Sequence, residues 1–459
     1  MIDQNTQTQS TTAPPLTLGK GRWLSGWDAE NTAQWAAGGR GIARRNLNWS
    51  IACEFLGFVI WQLWSVVVVF LPAAGFGYSS SELFWLISMP SLVGATLRIP
   101  YTFMVARFGG RNWTIISVLL LLLPATGLAI CTANPDTPFS TMLVVAALAG
   151  LGGGNFASSM ANITFFFPAR EKGWALGLNA AGGNLGAAVA QLAVPLVVTG
   201  LAAGSLNLPF AGLMWIPLIL AAAVGAWLYM DNITTAKSDV AGSLAALREP
   251  HMWILALLYI GTFGSFIGFA GVFPKLLLDT FGKGTGFTLG YATLSLAFLG
   301  ALVGSLARPY GGRLADRWGG ARVTMVCFAL LATVTLVQVW TLPLHNFWLF
   351  LGLFLLLFAA AGAGNGSTYR MIPLVFALRA GSDDDGMGAT RKGAAALGLI
   401  SAIGAYGGFL VPQLLNASKT ATGGYAGAFY GFVACYVALM GLTWFVYLRR
   451  SSAARLQEL

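Results

Sequence analysis

The sequence predicts an all-α membrane protein of twelve transmembrane helices in two six-helix halves. Three observations carry that prediction. The 459-residue chain is 56% hydrophobic and only 9% charged, whereas soluble domains are roughly a quarter charged. Its apolar runs reach the ~20 residues that cross a ~30 Å hydrocarbon core as helix. The two halves also repeat each other, down to one arginine in matching apolar stretches: Arg98 in Leu92-Val93-Gly94-Ala95-Thr96-Leu97-Arg98, and Arg308 in Leu302-Val303-Gly304-Ser305-Leu306-Ala307-Arg308. In both copies a Gly lies four residues before the Arg, and a Gly-Gly pair begins eleven residues after it (Gly109-Gly110, Gly319-Gly320).

In chain order, the apolar segments cover roughly 47–71, 83–107, 112–133, 139–167, 173–200, 209–231, 250–279, 287–310, 321–343, 346–378, 393–417 and 425–448. The polar stretch 233–249 divides six from six. The expected organisation is a leader over 1–40, a first half over 41–232, a linker over 233–249, a second half over 250–450 and a tail over 451–459. The leader is rich in Ser, Thr, Gln and Pro and reads as mostly disordered, with Trp23 and Trp27 as a short interfacial segment. No cleavable signal peptide is visible.

Lys and Arg gather in alternate connections. Arg40, Arg44 and Arg45 precede span 1, Arg107 and Arg111 follow span 2, and Arg170 and Lys172 follow span 4. Lys237 and Arg248 lie in the linker; Arg313, Arg317 and Arg322 follow span 8. Arg379, Arg391 and Lys392 follow span 10, and Arg449, Arg450 and Arg455 end the chain. The opposite connections hold only Lys275, Lys283 and Lys419. The positive-inside rule then puts both termini in the cytoplasm. The same distribution accounts for the net charge of +10 without nucleic acid.

Several chemistries are excluded. Cys53, Cys131, Cys327 and Cys435 fall in apolar spans, form no CxxC, and read as small buried hydrophobes. With His251 and His345 as the only histidines, a His-based metal site is not expected. No nucleotide-binding loop or carboxylate dyad appears, so neither an enzyme nor a cofactor is expected.

What remains is a buried polar set. A charge at the bilayer centre costs about 2.5–3.5 kcal/mol on insertion scales, and a guanidinium cannot escape by losing its proton. Glu54 is the one clear acidic residue in the spans, and one carboxylate does not offset Arg98 and Arg308. The simplest missing partner is an anionic substrate. Glu54 has two readings, a proton-coupling carboxylate or the partner of a cytoplasmic-side Arg, and the pair is favoured. Arg370, near the end of span 10, snorkels easily and reads as gating or structural. Asn155, Asn162, Asn179, Asn184 and Asn365 serve either interhelical hydrogen bonds or an anion's oxygens. The reading leans to function for Asn184 and to structure for Asn155 and Asn365. Glycines crowd spans 4, 5, 10 and 11 (Gly152-Gly153-Gly154, Gly177, Gly183, Gly362, Gly364, Gly404). They let backbones approach closely, and their backbones can also line a small cavity.

Two six-helix halves in parallel repeat, with a site between them, is the architecture of major-facilitator transporters. The loops 107–112 and 311–322 resemble that superfamily's loop after helices 2 and 8. Gly154-Asn155-Phe156-Ala157-Ser158-Ser159-Met160-Ala161-Asn162-Ile163-Thr164-Phe165-Phe166-Phe167-Pro168, with Gly173-Trp174-Ala175-Leu176-Gly177-Leu178-Asn179, resembles the first signature of the nitrate/nitrite porter family within the superfamily. Ala394-Ala395-Ala396-Leu397-Gly398-Leu399-Ile400-Ser401-Ala402-Ile403-Gly404-Ala405-Tyr406-Gly407-Gly408-Phe409 resembles the second, and Thr262-Phe263-Gly264-Ser265-Phe266-Ile267-Gly268-Phe269 also matches.

The resemblance implies a substrate site. The family's anion-binding arginines fall on Arg98 and Arg308, its ring pair on Phe156 and Phe263, and its polar contacts on Tyr259, Asn184 and Ser401. Ala180 stands where several members have Gly, and its methyl would tighten the pocket. Glu54 departs from members with an apolar residue in span 1, which leaves the coupling mode open. The implied function is exchange of nitrate and nitrite by alternating access, by a monomer in the lipid bilayer of a bacterial inner membrane. The alternatives are proton-coupled nitrate symport through Glu54, a porter for phosphate or larger organic anions, and a nitrate sensor or channel without turnover.

Overall fold

The computed structural model describes residues 16–200, 205–236, 246–282, 286–379 and 387–449. Twelve helices follow one another: α1 (Thr32–Val67), α2 (Ser80–Phe108), α3 (Gly110–Thr132), α4 (Phe139–Phe166), α5 (Ala169–Gly200) and α6 (Phe210–Tyr229), then α7 (Pro250–Phe281), α8 (Phe298–Trp318), α9 (Gly320–Leu344), α10 (Phe347–Phe376), α11 (Ala396–Thr422) and α12 (Ala426–Leu448). All but α8 are long and apolar enough to cross a membrane. Helix α8 carries Arg308, Arg313, Asp316 and Arg317, yet its 21 residues extend about 31 Å at 1.5 Å per residue. Outward-facing Ile130, Trp227, Leu330 and Trp340 are each at least half exposed, the inversion of surface polarity that a lipid solvent requires. His251 at the start of α7 meets Tyr447 at the end of α12, Nδ1 to hydroxyl 3.2 Å, and Arg45 toward the start of α1 donates to the Tyr229 carbonyl that ends α6 at 2.7 Å, so in each half the first and last helices bring their outer ends together.

Helix contacts repeat across the halves: α2 packs on α4, and α8 on α10. Glycine makes both approaches possible. A Cβ at Gly153 would sit 2.7 Å from the Trp61 ring and 3.0 Å from the Gly94 Cα; one at Gly362 would sit 2.1 Å from the Gly304 carbonyl oxygen. The glycine four residues before each arginine therefore seats its helix against the Gly-rich helix of its own half. Pro100 and Pro309 follow the two arginines inside α2 and α8. Lacking an N–H, they relax the helix there.

Three expectations need correction. Span 8 was expected from residue 287, but β4 (Gly286–Leu289) and β5 (Ala292–Ser295) form an antiparallel hairpin ahead of α8. Gly290, at φ 63°, supplies the left-handed residue a two-residue turn needs, and the flanking threonines suit strand.

The leader reading holds for none of residues 16–39, which are packed. Strand β1 (Thr17–Leu18) pairs antiparallel with β2 (Trp23–Ser25), which pairs in parallel with β3 (Asn232–Ile233). Leu24, Trp27 and Trp35 are buried with Ile163, Phe166, Phe167 and Ala175. Arg22 bridges to the buried Asp231 at 2.7 Å, and the Ala169 N–H that opens α5 donates to Glu30 at 2.7 Å. Apolar burial and paired charges here outweigh the polar composition. Residues 1–15 and Lys237 of the linker lie outside the described residues.

The cysteine reading needs the third correction. Cys53, Cys131 and Cys327 are buried, but Cys435 is exposed on the outer side of α12.

Candidate functional site

Each half delivers one arginine to the seam between them. Arg98 is fully buried. Its Nε donates to the Gly153 carbonyl on α4 at 3.1 Å and its Nη1 to the Ser401 carbonyl on α11 at 2.8 Å, so it already ties the halves together. Its Cζ lies 4.5 Å from the Phe156 ring centroid and 5.2 Å from those of Phe263 and Trp61. Arg308 is 5% exposed, with its Cζ 5.3 Å from the Tyr369 ring and 5.7 Å from Phe156. These rings hold the cations through their negative faces. Among the described residues, Arg98 Nη2 and Arg308 Nη1 have no hydrogen-bond partner, a costly state for buried charged donors.

Phe156 on α4 and Phe263 on α7 stack across the seam, 6.3 Å between centroids and 23° between planes. A flat ion between them needs two contacts of about 3.5 Å, so the rings must move apart to admit one. Tyr259 stacks on Phe263 (5.2 Å, 20°) and lies within electrostatic range of both arginines. Its buried hydroxyl is turned toward the Arg308 guanidinium, close enough to interact with it but short of a well-formed hydrogen bond. Phe263 belongs to a widened π-type turn, Ile260–Gly264, an irregularity frequent at functional sites.

Helix α5 presents two adjacent stripes, since residues four apart share a face. Asn179 and Gly183 face Glu54: the Asn179 amide donates to Oε2 at 2.7 Å, and Gly183 leaves room for Oε1. Ala180 and Asn184 form the second stripe; both are fully buried and the Asn184 amide is unpaired. Ser401 contributes through its carbonyl, because its hydroxyl donates to the Gly398 carbonyl of its own helix at 2.8 Å. Both Asn365 amide atoms and the Asn155 oxygen are likewise buried without partners.

The favoured pairing for Glu54 is not found. Glu54 is buried among Ser159, Asn179 and Gly183, and Ser159, itself 2.9 Å from Ser50, donates to the carboxylate. No arginine bridges to it among the described residues. Two cationic side chains at the terminal end, Arg22 and Arg45, are committed to Asp231 instead. Glu54 lies within electrostatic range of Arg98 and Arg308 instead. Arg370 does sit at the terminal end, half exposed and bridged to Asp316 at 2.6 Å. Its Nη1 approaches Gly173 of the other half so closely that a Cβ there would lie 2.9 Å away.

Sequence reasoning missed Trp61 and Tyr369. A signal was present: Glu54, Phe58 and Trp61 are spaced along one face of α1, and Tyr369 follows Asn365 by one turn.

Residues 54–412 match the sequence profile of the Major Facilitator Superfamily. The chain is 43% identical to the nitrate/nitrite transporter NarU of Salmonella typhimurium over 93% of its own length and 96% of that protein's. It is 36% identical to a probable nitrate/nitrite antiporter, NarK2, of Thermus thermophilus over 95% and 99%. The chain belongs to the nitrate/nitrite porter family of the major facilitator superfamily. It is a transporter and not an enzyme. Over 80% of this chain and 83% of the other, it is also 28% identical to a second Thermus thermophilus protein, the probable nitrate/nitrite antiporter NarK1.

Proposed function

We propose that this porter exchanges nitrate and nitrite by alternating access, with the anion held between Arg98 and Arg308. The carrying observation is the pair of buried guanidinium donors, Arg98 Nη2 and Arg308 Nη1, left without partners beside two nearly parallel rings. A small planar monoanion supplies the missing acceptors and suits the space between the rings once they part. Two fixed cations, Arg98 and Arg308, face the single buried carboxyl group of Glu54, so the empty site is net positive and a bound monoanion lowers that charge. An empty site keeps its charge while the halves rearrange around it, which disfavours return without cargo and favours exchange. The names of the relatives support the same substrates.

In this reading the protein is a monomer in a bacterial inner membrane with both termini cytoplasmic. Residues 41–232 and 250–450 are its two moving halves, and 233–249 the cytoplasmic linker. Phe156 and Phe263 clamp the anion, while Tyr259, Asn184 and the Ser401 segment orient it. Ala180 sets the space available, and Arg370 closes the terminal-side seam. Counterflow in proteoliposomes tests it: labelled nitrate accumulates in vesicles loaded with nitrite and not in empty vesicles. Accumulation in empty vesicles under a proton gradient alone would overturn exchange. The burial of Glu54 beside the site, free of arginine, favours proton-coupled symport as the second reading.

A further inference from the structure

A second charged cluster lies at the end of the bundle opposite the termini. Lys275 and Asp279 stand one turn apart on α7, with Lys275 Nζ 3.1 and 3.0 Å from the two Asp279 oxygens. Lys419, near the end of α11, reaches Asp279 Oδ2 at 2.7 Å, and Tyr425, ahead of α12, donates its hydroxyl to the same oxygen. Lys275 is 4% exposed. All four residues belong to the second half.

The first half contributes Phe84 of α2. Lys275 Nζ lies 5.0 Å from its ring centroid, and the Tyr425 ring 6.4 Å. Gln413 to Ser88 (2.6 Å) and Asn416 to Ser81 (3.0 Å) extend the same seam. The nearby carboxylate of that half, Glu82, is turned into its own capping box with Ser79.

Two features set this cluster apart from an ordinary ion pair. Two ammonium groups share one carboxylate, which leaves one surplus positive charge, with Lys275 buried and Lys419 partly exposed beside it. Among the described residues, no hydrogen bond or ion pair ties the cluster to the facing half, which meets it with the Phe84 ring. When the halves part here, the charges stay assembled on α7 and α11 and lose only Phe84. We infer that this cluster, once Phe84 withdraws, is a capture station for a monovalent anion bound for the central arginines. The capture role rests on the anion-transport reading above.

Lys419→Gln removes the surplus charge and leaves Lys275 paired with Asp279. A unit charge about 6 Å from an ion in water-like surroundings shifts its binding about threefold. Nitrate uptake is measured at both faces, in right-side-out and inside-out vesicles. At low ionic strength the variant shows KM raised about threefold at the cluster's face, with kcat and the other face's KM unchanged. The difference vanishes in about 0.5 M of a non-transported salt, where such charges are screened, and Lys419→Arg restores the wild-type value. An unchanged KM, a change equal at both faces, or one that persists in salt overturns the capture role. Absence of exchange by the wild-type protein in the same vesicles would instead overturn the function reading, and the capture role with it.

Discussion

Replacing Arg98 by Lys keeps the charge and removes the fork. In the native site three nitrogens have separate tasks: Nε holds Gly153, Nη1 holds Ser401 at 2.8 Å, and Nη2 is free. A single ammonium on a flexible stem cannot satisfy two carbonyls on different helices and still face an anion. At least one buried carbonyl and the substrate's contact lose a charge-assisted donor. Hydrogen bonds to charged groups are worth about 1.5–3 kcal/mol each, so two losses amount to about 3 kcal/mol or more. That is a factor of roughly one hundred or more, at 1.4 kcal/mol per decade. Arg98→Lys should still express and fold, because the positive charge keeps its contacts with the Trp61, Phe156 and Phe263 rings, with thermal stability lowered by the lost carbonyl contact. Counterflow in proteoliposomes should fall about a hundredfold or below detection, and Arg308→Lys should behave alike. Wild-type exchange by both Lys variants would refute the assignment of the site.

The neighbouring positions give distinct expectations. Phe156→Ala opens the 6.3 Å ring gap, so nitrate binding should weaken and discrimination against tetrahedral oxyanions should loosen; a variant that binds nitrate normally and still excludes sulfate would remove the clamp. Ala180→Gly frees a methyl's volume on the Asn184 stripe and should raise nitrate affinity more than nitrite affinity, read by competition; equal shifts would make the position structural. Glu54→Gln keeps the shape that Ser159 and Asn179 bond to while removing the titratable carboxyl group. Exchange should slow yet remain detectable, whereas loss of proton-driven uptake with counterflow spared would establish symport.

The sequence alone determined the helix number, the internal repeat and the two arginines, because the cost of burying charge or polar backbone in lipid is imposed locally, segment by segment. The signature stretches also named the ring pair that the structure stacks across the seam. What the sequence left open depends on contacts distant in the chain. Arg98 meets a carbonyl 303 residues away, and Trp27 donates to Phe165, 138 residues on, so composition made the leader look loose when apolar burial holds it. Glu54 was read from its own helix and assigned to an arginine. Its partners are Ser159 and Asn179, whose donors arrive on α4 and α5 only when the first half is packed. The π-type turn that carries Phe263 and the sharing of Asp279 by two lysines likewise belong to the assembled bundle. Hydropathy reports which segments leave water, but which polar groups then find each other is decided by helix packing, since satisfying a buried donor depends on geometry that no local pattern encodes.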